Sequence, residues 1–192
     1  VGEMRRQLES QQLTDEERFH FDFALGKAME DRRDYRVAFR NYEKGNALRR
    51  KLIDYSPERN AAKVAVSKKT FSADFFRERA GYGNGSAEPI FILGMPRAGS
   101  TLLEQILSSH SQVEGTMELP DIIAITKDLY RRQTDDRVKT YYPMLPALSA
   151  QQAADYGRRY LDNTRIHRKS GAPFFIDKMP NNYAHIALIQ LI

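Results

Sequence analysis

A short segment near the middle of the chain, GMPRAGST at residues 94–101, contains residue types that could bind a phosphate group. Two glycines five positions apart can form a tight turn. The helix expected to follow would direct free N–H groups and its positive dipole end at an anion. Ser100 and Thr101 add hydroxyl donors, and Arg97 can contact a phosphate in a bidentate manner. The pattern therefore predicts an anion-binding loop with Arg97 as its cation.

The loop lacks the lysine that a nucleoside triphosphatase carries directly after its second glycine, because Ser100 occupies that position. Such an enzyme uses the lysine at the β- and γ-phosphates and a hydroxyl group on Mg²⁺. Asp177, which ends the apolar segment PFFID, could imitate the aspartate that supports the metal. A P-loop kinase or NTPase thus stays open as an alternative, as does a strand-to-helix turn with incidental polar residues. A donor whose terminal group is not a γ-phosphate fits the loop better.

The elements around the loop predict an α/β fold with a parallel sheet flanked by helices. The apolar segments PIFIL (89–93) and PFFID (173–177) are typical of buried strands. Helices are predicted at 101–109, at 119–131, from the Ser149–Gln152 capping box to about residue 167, and from Asn181 or Asn182 onward, where the asparagines are expected to be helix caps. Strands that alternate with helices favour a parallel sheet, and ligands bind such sheets at the carboxyl ends of the strands. Lys178, just past PFFID, is therefore placed at a binding edge.

The first eighty residues predict a helical pair followed by a connecting helix. Thr14 and Glu17 form a capping box at the start of the pair, and DRRD (31–34) forms its turn. The second helix is predicted to carry Tyr35, Ala38, Phe39 and Tyr42 on one side. The small residues Gly26 and Ala38 resemble those of the 34-residue tetratricopeptide repeat (TPR), in which they let two helices approach closely. An ordinary helical hairpin is the alternative.

The glycine-rich segment GYGNGS (81–86) marks a boundary, so the sequence predicts a helical domain at 1–80 and a second domain at 87–192. The last segment, NNYAHIALIQLI, stops on apolar residues without a helix cap. We therefore expect the chain to be an internal piece of a longer protein, with an incomplete α/β domain and with further repeats before the helical pair.

Composition restricts the possible partners and chemistry. Cysteine is absent, which rules out disulfides, thiolate zinc sites and cysteine nucleophiles and is consistent with a cytoplasmic protein. The net charge of +5 suits an anionic ligand, but basic residues alternate with acidic ones, which favours a small anion over nucleic acid. There is no apolar run of transmembrane length, and the histidines have no acidic neighbours at metal-ligand spacing. We expect neither a membrane partner nor a metal site.

The segment FILGMPRAGSTLLEQILSSHSQVEGTMELP, followed later by FFIDKMPNN, resembles the sulfotransferases. It looks closest to the bacterial type that joins TPRs to a sulfotransferase domain and is more distantly similar to protein-tyrosine sulfotransferases. The family's 5′-phosphosulfate loop reads PRSGTT, and PRAGST at 96–101 is similar, with Ala98 in place of a serine. The resemblance implies metal-free transfer of a sulfuryl group from 3′-phosphoadenosine 5′-phosphosulfate (PAPS) to a small-molecule or peptide acceptor. A phosphosulfate donor would explain the missing lysine.

The resemblance also implies roles for individual residues. Glu118, 21 positions after Arg97, has the spacing of the general base, and Lys178 matches the lysine that stabilises the leaving phosphate. The donor would be held by Arg97, Ala98, Gly99, Ser100, Thr101 and Leu102. The site for the 3′-phosphate would lie after residue 192. The simpler alternatives are a carboxylate at a helix start for Glu118 and a surface lysine for Lys178.

Other residues near the loop and the strand ends have simpler expected roles or alternatives. Other branches of the family use a histidine as base, but His110 lies near the far end of the helix after the loop, so we expect it to pack or to cap a turn. Asp177 is expected to orient loops through backbone hydrogen bonds. The stretch from Tyr141 to Pro143 could line an acceptor cleft or form an ordinary loop. A repeat-based scaffold without activity, which would bind proteins through its TPR-like helices, is a further alternative.

Overall fold

A computed structural model describes residues 1–9, 12–133 and 140–192, which divide into two compact units, Val1–Ala61 and Ala62–Ile192. The α-helices are Gly2–Glu9 (α1), Asp15–Asp31 (α2), Tyr35–Leu52 (α3), Pro57–Thr70 (α4), Ala73–Glu78 (α5), Ser100–Ser108 (α6), Asp121–Arg131 (α7), Ala150–Thr164 (α8) and Ile186–Leu191 (α9). Three strands are Pro89–Ile92 (β1), Val113–Gly115 (β2) and Phe174–Lys178 (β3). Short 3-10 helices span Tyr142–Ala147, Arg165–His167 and Pro180–His185.

The first unit is built around the antiparallel neighbours α2 and α3, which are the predicted helical pair. The capping box at the start of α2 is confirmed, since the Thr14 hydroxyl accepts from the Glu17 N–H at 3.2 Å and the Glu17 carboxylate accepts from the Thr14 N–H at 2.8 Å. At the start of α3, the Asp34 carboxylate accepts from the Val37 N–H at 3.3 Å. These caps fix the helix starts on either side of the turn.

Small residues allow close contact between α2 and α3, as the sequence predicts. A Cβ atom added to Gly26 would lie 2.5 Å from the Tyr42 ring. Ala38, on α3, is buried. The residues predicted on one side of α3 differ in burial, since Tyr35 and Phe39 are 64% and 67% exposed. They lie further round the helix from α2 than Ala38 does, and α2 covers only the nearer side.

The second unit contains a parallel three-stranded sheet in the order β1-β3-β2. The predicted strands at both apolar segments are confirmed, and β2 is an additional short strand that the sequence does not reveal. Ile92 pairs with Lys178, and Gly115 pairs with Ile176, so all three strands end near one edge of the sheet. The architecture is an α/β domain, as predicted.

Helices α5, α7, α8 and α9 pack with the sheet to form the core of this unit. The Ser149–Gln152 capping box is confirmed at the start of α8, with the Gln152 N–H donating to the Ser149 hydroxyl at 3.2 Å. The core consists mainly of large apolar side chains, among them Phe75, Leu119, Ile122, Ile125, Leu129, Leu145, Tyr156, Phe175 and Leu188. This packing holds the sheet edge in place.

The C-terminal segment differs from its prediction. The expected α-helix from Asn181 or Asn182 is instead the 3-10 helix Pro180–His185, followed by α9. Asn182 does not cap a helix, because its side chain is 1% exposed and its amide has no hydrogen-bond partner among the described residues. In the described parts of the chain, no helix has both the length and the apolar character needed to cross a membrane.

Candidate active site

The segment predicted to bind an anion is the loop between β1 and α6. Gly94 and Gly99 have φ angles of 148° and 88°, which favour glycine because a Cβ atom would strain the backbone. Arg97 has a φ of 66°, which is uncommon for a residue with a side chain. The Gly94 N–H donates to the Pro180 carbonyl at 3.1 Å and so ties the loop to the segment after β3. The loop therefore begins beside the end of the central strand.

The loop presents its polar groups outward. Arg97, Ala98, Gly99, Thr101 and Leu102 are exposed, and Ser100 is half-buried. The Arg97 side chain makes no hydrogen bond or ion pair with the described residues. Helix α6 begins at Ser100, so its first N–H groups have no intrahelical acceptor. Gly99 has no side chain that could cap them. This group of donors could receive an anion.

Lys178 and Glu118, predicted from separate parts of the sequence, are in contact. The Lys178 Nζ donates to the Glu118 Oε1 at 3.2 Å. Lys178 is the last residue of β3, while Glu118 follows β2 and precedes α7. The Thr116 hydroxyl donates to the Ile176 carbonyl at 2.6 Å, which ties the segment carrying Glu118 to β3. The sheet edge thus brings a carboxylate and an ammonium group together near the loop.

Glu104, which the sequence analysis did not single out, is the third member of this charged group. It lies in the second turn of α6, and its Oε2 is 3.8 Å from the Lys178 Nζ. The side chains of Lys178 and Glu104 are 13% and 11% exposed, whereas that of Glu118 is 55% exposed. Its position four residues after Ser100 is a sequence signal that could have located it one helical turn from the loop.

Asp177 has a different environment from the one predicted. Its side chain is fully buried and accepts a hydrogen bond from the Tyr160 hydroxyl at 2.8 Å, and it makes no bond to a loop backbone. Successive side chains of a strand point to opposite faces, so Asp177 faces α8 while Lys178 faces the site. Burial raises the pKa of Asp177 to about 7, and the nearby charge of Asp121 acts in the same direction. Asp177 therefore joins β3 to α8 on the face of the sheet opposite Lys178.

His110 makes a local contact, whereas Tyr141 and Tyr142 contact a segment more than 40 residues away. His110 is exposed beyond the end of α6, and its Nδ1 accepts from the Gln112 N–H at 3.2 Å, which agrees with the predicted turn-capping role. The Tyr141 hydroxyl is 2.9 Å from the His185 Nδ1, and the Tyr142 hydroxyl donates to the Ala184 carbonyl at 3.1 Å. Burial lowers the pKa of His185. The two tyrosines also line a cleft of about 410 Å³.

The charged side chains at the sheet edge are two carboxylates and one lysine. Within residues 1–9, 12–133 and 140–192, no three His, Asp or Glu side chains are grouped as a metal site would require. The charged group at the sheet edge consists of two carboxylates with a lysine between them, which is an arrangement suited to proton transfer and to stabilising an anion.

Comparison with known proteins identifies the family of the second unit. A model of the sulfotransferase family matches residues 89–192, more than half of the chain, and includes the loop, Glu104, Glu118 and Lys178. A protein of Aquifex aeolicus (strain VF5), described only as an uncharacterized protein, is 31% identical over 172 residues. That match covers 88% of this chain, so it extends into the helical residues before β1, but the chain spans only 22% of the relative's length. No solved structure matches. The chain belongs to the sulfotransferase family.

Proposed function

We propose that this protein transfers a sulfuryl group from PAPS to a hydroxyl or amine group of an acceptor. The observation that carries the proposal is the 3.2 Å contact between Lys178 and Glu118 at the sheet edge beside the loop. A base and a cation near one anion-binding loop are the groups that sulfuryl transfer requires. The family membership of residues 89–192 supports the reaction class.

The loop has the properties expected for a phosphosulfate site. The exposed guanidinium of Arg97, the hydroxyls of Ser100 and Thr101 and the N–H groups at the start of α6 would bind the anionic end of the donor. Ala98, Gly99 and Leu102 would contribute backbone rather than side-chain contacts. The uncommon backbone conformation of Arg97 supports a binding role, since such strain is frequent at ligand sites.

The proposed reaction assigns one task to each charged side chain. Glu118 accepts the proton of the acceptor hydroxyl while the acceptor oxygen attacks sulfur. The bond between sulfur and the bridging oxygen breaks, and its electron pair leaves with the 5′-phosphate of adenosine 3′,5′-bisphosphate. Lys178 stabilises the negative charge that develops on that oxygen. The exposed side of Glu118, which is 55% accessible, is open to an acceptor.

The cleft beside Tyr141 and Tyr142 is our candidate for part of the acceptor site. Its lining residues come from α4, the end of α7, the segment 140–142 and the end of the 3-10 helix Pro180–His185. Helix α7 follows Glu118 and the 3-10 helix Pro180–His185 follows Lys178, so two of the elements that line the cleft continue from the two reacting side chains. Phenolic and basic side chains line it, including Tyr130 and Lys127.

The helical unit is proposed to be a TPR-like repeat that binds a protein partner. The close contact at Gly26 and the burial of Ala38 support the repeat assignment. The exposed rings of Tyr35 and Phe39 would then belong to a surface that a neighbouring repeat or partner covers. Substitution of both rings by serine should abolish capture of such a partner without altering sulfuryl transfer, and unchanged capture would argue against this role.

A transfer assay tests the proposed function. The full-length protein is incubated with PAPS labelled in its sulfuryl group and with a mixture of phenolic, saccharide and amine acceptors. We expect labelled product and adenosine 3′,5′-bisphosphate in equal amounts, with no requirement for Mg²⁺. Mg²⁺-dependent ATP hydrolysis without transfer from PAPS would instead support the kinase or NTPase alternative.

A further inference from the structure

Glu104 is a largely buried carboxylate whose position on α6 needs a physical explanation. Its side chain is 11% exposed, and the helix that carries it begins directly after the loop. Removing a carboxylate from water is costly unless a cation or hydrogen-bond donors replace the solvent. Among the described residues, the cation within 4.0 Å is Lys178, at 3.8 Å from Glu104 Oε2. The buried carboxylate is therefore directed at the lysine that the proposed reaction uses.

The neighbouring strand β2 ends beside this carboxylate. Gly115, the last residue of β2, has no side chain, and a Cβ atom added there would lie 3.8 Å from Glu104 Oε1 and 3.3 Å from Ser108 Cβ. Glu104 is thus enclosed between α6 and the ends of β2 and β3. Its carboxylate has little freedom to turn away from Lys178.

Lys178 has two carboxylate neighbours that differ in their freedom to move. Glu118 is hydrogen-bonded at 3.2 Å but 55% exposed, so it can rotate toward solvent or an acceptor. Glu104 is more distant and nearly enclosed. In the proposed reaction Glu118 has to release the ammonium group in order to accept a proton. The enclosed carboxylate then remains as the neighbour that keeps Lys178 at the sheet edge.

We infer that Glu104 is a positioning residue that holds the Lys178 ammonium group beside the loop while Glu118 serves the acceptor. The inference rests on the proposed function, which assigns Lys178 to the leaving phosphate. Glu104 acts only through Lys178, so its contribution should depend on that lysine being present. This dependence separates positioning from a general structural effect of the buried side chain.

A double-mutant cycle in the full-length protein tests the inference. Single-turnover rates of sulfuryl transfer at saturating PAPS are compared for the unsubstituted protein, Glu104→Gln, Lys178→Ala and the double variant. We expect Glu104→Gln to lower the rate about 10-fold when Lys178 is present and less than about 2-fold in the Lys178→Ala background. Glu104→Asp, which retains the charge, should recover part of the lost rate.

Thermal unfolding of the same four proteins gives a readout that does not depend on activity. Lys178→Ala should lower the midpoint because it leaves the Glu104 charge buried without a cation, and adding Glu104→Gln should restore part of the loss. Glu114→Gln is the matched control. This carboxylate, on the adjacent strand, accepts from the Ser170 N–H and hydroxyl, each at 2.9 Å. The change in unfolding midpoint caused by Glu114→Gln should simply add to the change caused by Lys178→Ala.

The outcomes separate the inference from the proposed function. Equal rate losses on Glu104→Gln in both lysine backgrounds would overturn positioning through Lys178. If the changes in unfolding midpoint caused by Glu104→Gln and Lys178→Ala add in the double variant, the two side chains do not stabilise each other. That result would overturn the structural basis of the inference. Absence of transfer by the unsubstituted protein would overturn the proposed function and the catalytic part of the inference, while the unfolding cycle would still decide whether Glu104 holds Lys178.

Discussion

Arg97 combines an exposed guanidinium with a backbone conformation that arginine seldom adopts. Its φ of 66° costs about 1–2 kcal/mol relative to an ordinary conformation. The described residues provide no partner that would compensate for this cost. Binding of an anion, with the N–H groups of α6 nearby, is a role that would account for a strained cation at this point of the loop.

Replacement of Arg97 by alanine should therefore weaken donor binding and leave folding nearly unchanged. We expect a loss of about 2–4 kcal/mol in binding free energy, because truncation removes a bidentate contact to a desolvated anion. Calorimetric titration of the full-length protein with adenosine 3′,5′-bisphosphate measures this. Arg77→Ala, which removes a 73% exposed arginine from a surface ion pair, is the control. An affinity equal to that of the unsubstituted protein would remove Arg97 from the site.

Substitution of Glu118 and of His110 should affect turnover differently if Glu118 is the base. Glutamine at position 118 keeps the shape of the side chain but cannot accept a proton, so turnover should fall roughly 10²–10⁴-fold with donor binding intact. His110→Ala should change stability by about 1 kcal/mol and leave turnover within a few-fold, because the imidazole only accepts a local backbone hydrogen bond. Single-turnover rates of both full-length variants are the measurement. A rate lost on His110→Ala and kept on Glu118→Gln would reverse the assignment.

At the scale of elements, two consecutive residues of β3 lie on opposite faces of the sheet and have different partners. Lys178 faces the charged group, while Asp177 lies against Tyr160 of α8. The folded environment raises the pKa of Asp177 from 3.8 to about 7, so the folded state binds a proton more tightly than the unfolded chain does. Stability is therefore expected to decrease as pH rises through this interval and to stay lowered above it.

Substitution of Asp177 by asparagine should remove this pH dependence. Asparagine cannot ionise, and its carbonyl can still accept the Tyr160 hydroxyl, so the free energy of unfolding at about pH 8 should rise by about 2–4 kcal/mol relative to the unsubstituted protein. This difference in the free energy of unfolding should become smaller as the pH is lowered toward about 4. Chemical denaturation across this range measures it. Asp155→Asn, a 53% exposed aspartate on α8, is the control. Parallel stability curves for Asp177→Asn and the unsubstituted protein would contradict the prediction.

The sequence predicts the elements whose signals are local. The capping boxes at Thr14 and Ser149 and the two apolar strands each depend on a few adjacent residues, and the structure confirms them. Lys178 was predicted at the carboxyl ends of the parallel strands, and the resemblance assigned roles to Lys178 and Glu118, but their mutual approach was not itself predicted. That approach is present, whereas the catalytic roles of both residues remain predictions.

The missed features depend on tertiary contacts. Strand β2 has three residues and is stabilised by pairing with β3, so it has no periodic pattern of its own. Glu104 has the sequence context of an ordinary helix residue, and its burial follows from the packing of α6 next to Gly115. The 3-10 helix after Pro180 replaces a predicted α-helix, and Asn182 is buried where a cap was expected. The spacing of Glu104 from Ser100 indicates its place one helical turn from the loop, but its burial and the other missed contacts do not follow from residue type or spacing alone.

At the scale of the whole molecule, the chain joins a helical unit to an α/β unit of the sulfotransferase family. Its net charge of +5 is consistent with an anionic donor. The predicted domain limits of 1–80 and 87–192 remain a prediction beside the compact units Val1–Ala61 and Ala62–Ile192. The central claim concerns the second unit, where the loop, Lys178 and Glu118 are proposed to perform one reaction.

Sulfuryl transfer by the full-length protein and its Lys178→Ala variant, measured side by side with labelled PAPS and a chelator, tests this claim most directly. We predict that the unsubstituted protein forms labelled acceptor and adenosine 3′,5′-bisphosphate in equal amounts. The variant should be slower by about 10²–10³-fold, because the charge on the leaving oxygen loses its stabilising cation. Equal transfer rates for the two proteins would contradict the role of Lys178, and absence of bisphosphate formation with every acceptor class would contradict the account as a whole.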